Sequence, residues 1–250
     1  MKFGNVNRSA VIALALLPGV LFLRCSCAAE GRIKAIVVHV RGDVELRRSG
    51  GNDLTAVVLS GLLYAGDEIK TGPSGRASLV TKGGAEVRIN GNSDFDIEED
   101  DKAGEMIRLD VGQVWTRMLH KMAKLDVITP SATCSIRGTE ADIKQRGLLT
   151  VRVYEGHVDV QNSSGKRSLA AGQLSTVPNA GVAPAAPRRM SASEVGNWQN
   201  GITAKDIRKY MDKLNAEAGS GKKLEFKIVR DGKSKDVRIR LIKKQGGGGI

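Results

Sequence analysis

Apolar and polar positions alternate through the middle of the chain. Ile36, Val38 and Val40 alternate with Val37, His39 and Arg41, and Val87/Ile89, Phe95/Ile97, Ile107/Leu109 and Val151/Val153 repeat the spacing. A period of two places one set of side chains on an internal face and predicts many short strands over residues 33–177. The runs are punctuated by Ser49-Gly50-Gly51-Asn52, Lys82-Gly83-Gly84, Asn90-Gly91-Asn92 and Ser163-Ser164-Gly165. These residues supply the backbone angles that tight turns require. No long amphipathic helix interrupts the pattern.

A loose echo runs through the same region. Val40-Arg41-Gly42-Asp43-Val44, Asp110-Val111-Gly112-Gln113-Val114 and Tyr154-Glu155-Gly156-His157-Val158 each place a Gly two residues before a Val. Ala65-Gly66-Asp67 and Ala171-Gly172-Gln173 form a second echo. The intervals are irregular, so this is not a strict repeat. Periodicity alone defines an all-β, turn-rich region.

After Val177 the pattern changes. Pro178, Pro184 and Pro187 among Ala, Gly and Val predict an extended linker over 179–200. A helix follows, with Thr203 and Asp206 as capping residues and Ile207, Tyr210, Met211 and Leu214 on one face. Gly219 to Gly221 ends it. Leu224, Phe226 and Ile228, then Asp231-Gly232, then Val237, Ile239 and Leu241 read as a β-hairpin. Residues 201–245 are thus expected to form a small α+β unit, with a frayed tail at 246–250.

The start of the chain has a different chemistry. Lys2 and Arg8 precede an apolar stretch, Ala10 to Leu23, and small residues follow at Ser26, Cys27, Ala28 and Ala29. The stretch is shorter than the roughly 20 apolar residues a membrane span needs. The order fits a secretory signal over residues 1–29, cleaved after Ala29 or Ala28. A lipidated Cys25 or Cys27 and a retained N-terminal anchor are the alternatives. An exported chain would be periplasmic or extracellular.

Export would remove Lys2, Arg8 and Arg24 from a formal charge of +12 and leave the chain basic. It would also leave Cys134 as the one Cys of the three, so no internal disulfide could support the fold. The basic residues are spread out and not interleaved with aromatics, which argues against nucleic acid. A solvated basic surface, or contact with an anionic envelope polymer such as peptidoglycan or a polysaccharide, remains.

Catalytic signatures are missing from the sequence. His39, His120 and His157 stand in no His-Glu-x-x-His arrangement, and no Gly-x-Ser-x-Gly elbow or phosphate loop occurs. The acidic run Asp94-Phe95-Asp96-Ile97-Glu98-Glu99-Asp100-Asp101 lacks the glycine and distal glutamate of an EF-hand loop. No catalytic residue, cofactor or metal site is therefore expected.

From Gly42 to Val177, the pieces Gly42-Asp43-Val44-Glu45, Gly66-Asp67-Glu68-Ile69-Lys70-Thr71-Gly72, Val111-Gly112-Gln113-Val114, Ile128-Thr129-Pro130, Ile136-Arg137-Gly138-Thr139-Glu140 and Tyr154-Glu155-Gly156-His157-Val158 occur in order. Together they resemble the FecR domain, a β-rich module of bacterial cell-envelope proteins. The resemblance implies a twisted β-solenoid or roll over residues 30–178 and a non-catalytic sensory or protein-binding role. FecR domains best known as periplasmic sensors of anti-sigma regulators follow a cytoplasmic segment and a transmembrane helix. Here about thirty signal-like residues precede the domain. An envelope protein partner is therefore expected in place of direct sigma-factor contact. The most specific part is Arg137, Gly138, Thr139 and Glu140, read as a structural loop with Arg137 tied to Glu140 or to loop carbonyls, or else as a recognition edge. Val229-Arg230-Asp231-Gly232-Lys233, with its helix, resembles the second half of a PDZ domain, although the carboxylate-binding first half is not visible.

Overall fold

A computed structural model describes residues 32–98, 104–120, 122–202, 206–219, 223–230 and 233–240. The signal-like residues 1–29, Thr203, Asp231-Gly232 and the tail at 246–250 lie outside these.

The fold is mainly β. The first strands are β1 (Ile33–Arg41), β2 (Val44–Arg47), β3 (Leu54–Ala56), β4 (Leu62–Tyr64) and β5 (Glu68–Thr71). Next come β6 (Arg76–Thr81), β7 (Ala85–Ile89), β8 (Ser93–Ile97), β9 (Glu105–Met118) and β10 (Lys124–Ile128). Then follow β11 (Thr133–Arg146), β12 (Leu148–Asn162), β13 (Gly165–Ala170), β14 (Gln173–Val177) and β15 (Arg188–Arg189). All fifteen belong to one open sheet. Two 3-10 turns (Ala192–Glu194 and Trp198–Gly201), helix α1 (Ile207–Gly219) and a separate hairpin of β16 (Lys223–Arg230) and β17 (Lys233–Arg240) complete the described elements.

The sheet forms two layers because three long strands serve both. The N-terminal part of β9 pairs with β8 and, in parallel, with β10, whereas its C-terminal part pairs with β7 and β11. Strand β11 pairs first with β10 and then with β9. Strand β12 pairs with β14 over Leu149–Arg152 and with β13 over His157–Asn162. Each long strand changes layer at a glycine with positive φ: Gly112 at 120°, Gly138 at 60° and Gly156 at 69°. Only glycine adopts such angles readily. The β1–β2 corner uses Gly42, at 68°. The glycine–valine echo in the sequence thus marks corners, with the valine as the first inward residue of the next layer.

Between the layers lies one continuous core. Val37, Leu79, Val87, Val114, Ile143 and Val151 of the first layer pack in the same cluster as Ile69, Phe95, Leu109, Leu125, Ile136 and Val158 of the second. Phe95 and most of its neighbours are fully excluded from solvent. Each such large side chain contributes about 1.5–3 kcal/mol on burial.

Two expectations from the sequence change here. First, the middle is not only short strands: β9, β11 and β12 run 14, 14 and 15 residues. A glycine bend inside a paired strand looks like a turn when no partner is known. Second, Ile36, Val38 and Val40 do not share a face. A register shift between Val37 and His39 turns Val40 toward the core, and Ile36 and Val38 point the other way.

That outer face is covered. Ile36, Val38 and Val80 form a second apolar cluster with Leu214, and Ile207, Tyr210 and Met211 pack against it. Helix α1 therefore lies over β1 and β6. Asp206 precedes it, its carbonyl and its Oδ1 accepting from the Lys209 N–H at 3.2 and 3.4 Å. The stretch expected as an extended linker is likewise held to the sheet. Ser175 donates to the Ala185 carbonyl (2.7 Å), Met190 N–H donates to Gly172 O (2.9 Å), and Arg188 pairs with Glu194. Proline and alanine content is silent on what this stretch lies against and on the short 3-10 turns at Ala192–Glu194 and Trp198–Gly201 within it.

The corner glycines give a paired test. A Cβ at Gly156 would lie 2.6 Å from Thr139 Oγ1 and 2.9 Å from Gly138 O, whereas at Gly147 (φ 75°) it meets nothing within 4 Å. Gly156→Ala should cost about 1–3 kcal/mol in chemical denaturation, and Gly147→Ala about 1 kcal/mol. Equal losses would show that backbone angle alone, and not the close approach of β11 and β12, sets the requirement.

Candidate interaction surface

The Arg137-Gly138-Thr139-Glu140 segment is the corner of β11. Its pairing with β12 jumps from Arg137 opposite His157 to Glu140 opposite Glu155. Thr139, 2% exposed, ties this gap. Its hydroxyl has the carbonyls of Arg137 at 2.6 Å and His157 at 2.9 Å to donate to, and it accepts from the His157 N–H at 3.1 Å. Glu140 accepts from Trp115 Nε1 at 3.1 Å. Arg137 is exposed, and its side chain has no hydrogen bond or ion pair among the described residues. The expected tie from Arg137 to Glu140 or to loop carbonyls is therefore absent. The positive φ of Gly138 separates the two residues, Trp115 holds Glu140, and Thr139 makes the structural tie.

The outer face of the first layer carries a buried polar network that sequence reasoning missed. Cross-strand register aligns Ser78, Arg88, Trp115, Asp142 and Arg152 in one row. Glu86 is fully buried and pairs with Arg88 at 2.8 Å and Arg117 at 2.6 Å. The Arg88 guanidinium stacks on the Trp115 ring, 4.2 Å from its centroid. Asp142, 1% exposed, accepts from Trp198 Nε1 at 2.7 Å and Gln113 Nε2 at 2.8 Å and pairs with Arg152 at 3.2 Å.

Residues 196–202 close over this row. Arg88 Nη1 donates to the Gln199 carbonyl at 2.9 Å, and Gly196 N–H donates to the Tyr154 hydroxyl at 3.2 Å. Burial pushes the Asp142 carboxyl above the usual range, against the pull of Trp198, Arg152 and Gln113. A buried carboxylate without such partners would be strongly destabilising. Two sequence signals pointed here: an acid inside the apolar run Ala141-Asp142-Ile143, and a lone Trp198 in a polar segment.

The histidines are dispersed. His39 lies on β1, His120 follows β9 and His157 lies on β12. Burial, then the charges of Arg41 and Arg88, lower the His39 pKa. Cys134 is fully buried and its thiol is pushed up to about 12, which leaves it a thiol at neutral pH. The acids of β5 and β8 flank Lys70, which pairs with Glu68 and Asp94, both at 2.6 Å. Among the described residues, no group of three or more His, Cys, Asp or Glu side chains has metal-holding geometry. A space lined by Ala35, Thr81, Glu105 and Ile107 measures about 10 Å³, at the lower limit for one water.

A two-layered, open and mainly antiparallel sheet with glycine corners is the class this geometry defines. Within it, residues 67–159 match the family model described as FecR protein. The matched span contains the Gly112, Gly138 and Gly156 corners. No curated protein matches the chain. Two crystal structures, at 1.65 Å and 2.50 Å, of a candidate anti-sigma factor from Parabacteroides distasonis ATCC 8503 are similar. Each is 13% identical with a TM-score of 0.47, and the alignments cover 70% of this chain and 99% and 98% of that one. Among the described residues, no helix is long and apolar enough to cross a membrane.

Two outcomes are expected. Thr139→Ala should cost about 1–3 kcal/mol in urea denaturation, because the His157 N–H loses a buried partner, whereas Arg137→Ala should stay within about 0.5 kcal/mol. Trp198→Phe should destabilise more at pH 8 than at pH 4. A raised folded-state pKa means that the contribution of Asp142 is full at low pH and is lost as pH rises through that pKa. Removing the Trp198 donor raises the pKa further, so the deficit grows once Asp142 ionises. A pH-independent loss in thermal melts would mean that Trp198 acts through packing alone.

Proposed function

We propose that the chain is an exported, non-catalytic regulatory module of the bacterial cell envelope that works by binding a partner protein. The observation that carries this reading is the FecR match over the corner-bearing core, with Arg137 displayed at its most family-specific corner. Thr139 and Glu140 fix the backbone there, and the guanidinium is left free to engage a carboxylate or a row of carbonyls on a partner. The three strands shared between layers support the twisted β-roll expected of such modules. Helix α1, seated on β1 and β6, serves this body as a cap. The charged–apolar–small order of residues 1–29 supports export.

Expression in a Gram-negative host tests both halves. Intact mass of the envelope-fraction protein should correspond to loss of residues 1–29. A photo-crosslinking residue at position 137 should capture one discrete partner, and the same residue at position 167 should not. A full-length mass in the cytoplasm would remove the export reading. Indiscriminate or identical adducts at both positions would remove Arg137 from the binding surface.

A further inference from the structure

Many cations on the sheet have an acidic partner. Arg47 and Lys70 meet Glu68, Arg48 meets Asp67, Arg108 meets Glu98, and Arg152 meets Asp142. One end of the first layer's outer face departs from this. Antiparallel register sets Arg41 of β1 directly opposite Arg76 of β6. From the end of β11, Arg146 reaches the Gly91 carbonyl, Nη2 donating at 2.8 Å. Arg76 lies at the same glycine, since a methyl group on Gly91 would run into its Nη1.

The guanidinium groups of Arg76 and Arg146 therefore meet at the Asn90-Gly91-Asn92 turn, with Arg41 across the ladder from Arg76, and none of the three has an ion pair among the described residues. The anchors of Arg76 and Arg146 are neutral. Arg76 Nη1 donates to the carbonyls of Gly75 (2.6 Å) and Pro73 (3.2 Å). Lys144, on the same outer face as Arg146, is also unpaired. Burial and the charges of Arg41 and Arg146 hold Arg76 below the usual arginine range. Like charges placed opposite each other across strands destabilise a sheet. Backbone carbonyls hold Arg76 and Arg146 in place here, so an incoming anion meets fixed donors and relieves an existing repulsion.

We propose that Arg41, Arg76 and Arg146 form a binding site for a phosphate-type group carrying two or more negative charges. Planar guanidinium forks suit paired phosphate oxygens, and the exposure of Arg41 and Arg146 leaves the site open to a free phosphate compound or to a phosphorylated headgroup. The site is separate from the Arg137 corner, on the other layer, and stands or falls without the partner reading.

Inorganic pyrophosphate is the first probe, by calorimetry at low salt. The parent should bind it, and R41Q/R76Q should bind at least about ten-fold more weakly. The charge-matched K124Q/R167Q, with both changes on the second layer, should stay within about two-fold of the parent. Thermal melting gives a second readout that also checks folding. Pyrophosphate should raise the parent's Tm and not that of R41Q/R76Q, whose Tm without the anion should equal or exceed the parent's. Vesicles of phosphatidylcholine with and without phosphatidic acid separate the sources. Binding to the acidic vesicles that is lost in R41Q/R76Q assigns a lipid headgroup, and pyrophosphate binding alone assigns a free phosphate compound. Absence of binding to either probe, or equal losses in the two double variants, overturns the proposal.

Discussion

The whole architecture depends on three strands being able to turn without ending. Strands β9, β11 and β12 keep their ladder hydrogen bonds on both sides of Gly112, Gly138 and Gly156 and so belong to two layers at once. A side chain at Gly112 would run into Ser93, and one at Gly156 into Thr139. The corners are close backbone crossings as well as unusual angles. Because the strands are continuous, the layers cannot separate without breaking ladder bonds, and a single core fills between them.

The outer face of the first layer is finished by two different chemistries. Over β1 and β6 the cover is apolar, with Leu214, Tyr210 and Met211 of α1 on Ile36, Val38 and Val80. Over β7, β9 and β11 it is polar, with Trp198 and the Gln199 carbonyl closing a row that contains Glu86, Arg88 and Asp142. The second cover gives direction and register, because each buried carboxylate accepts only from particular donors and Arg88 donates only to particular acceptors. The boundary drawn at residue 178 from composition marks a change of local structure, while the packing runs straight through it.

Much of this was legible in the sequence where the signal was local. Alternation at Phe95/Ile97, Ile107/Leu109 and Val151/Val153 marked core positions that are buried in the structure. The glycine echo was visible, although its meaning required knowing which strands pair. Non-local relations left little trace. Arg88 and Gln199 are 111 residues apart, and Asp142 and Trp198 are 56 apart. Proximity misled at Arg137 and Glu140: three positions along a regular strand would not face one another, and the Gly138 bend parts them further.

An open sheet of this size leaves hydrogen-bonding edges, and exposed edges recruit other strands. Here they are poor templates. Strands β3 and β4 are three residues each and β15 is two. The longest, β13, carries Lys166 and Arg167 in its first half. A neighbouring chain would find either too few backbone groups to pair with or two cations in its way. The sheet is thus terminated by brevity and charge.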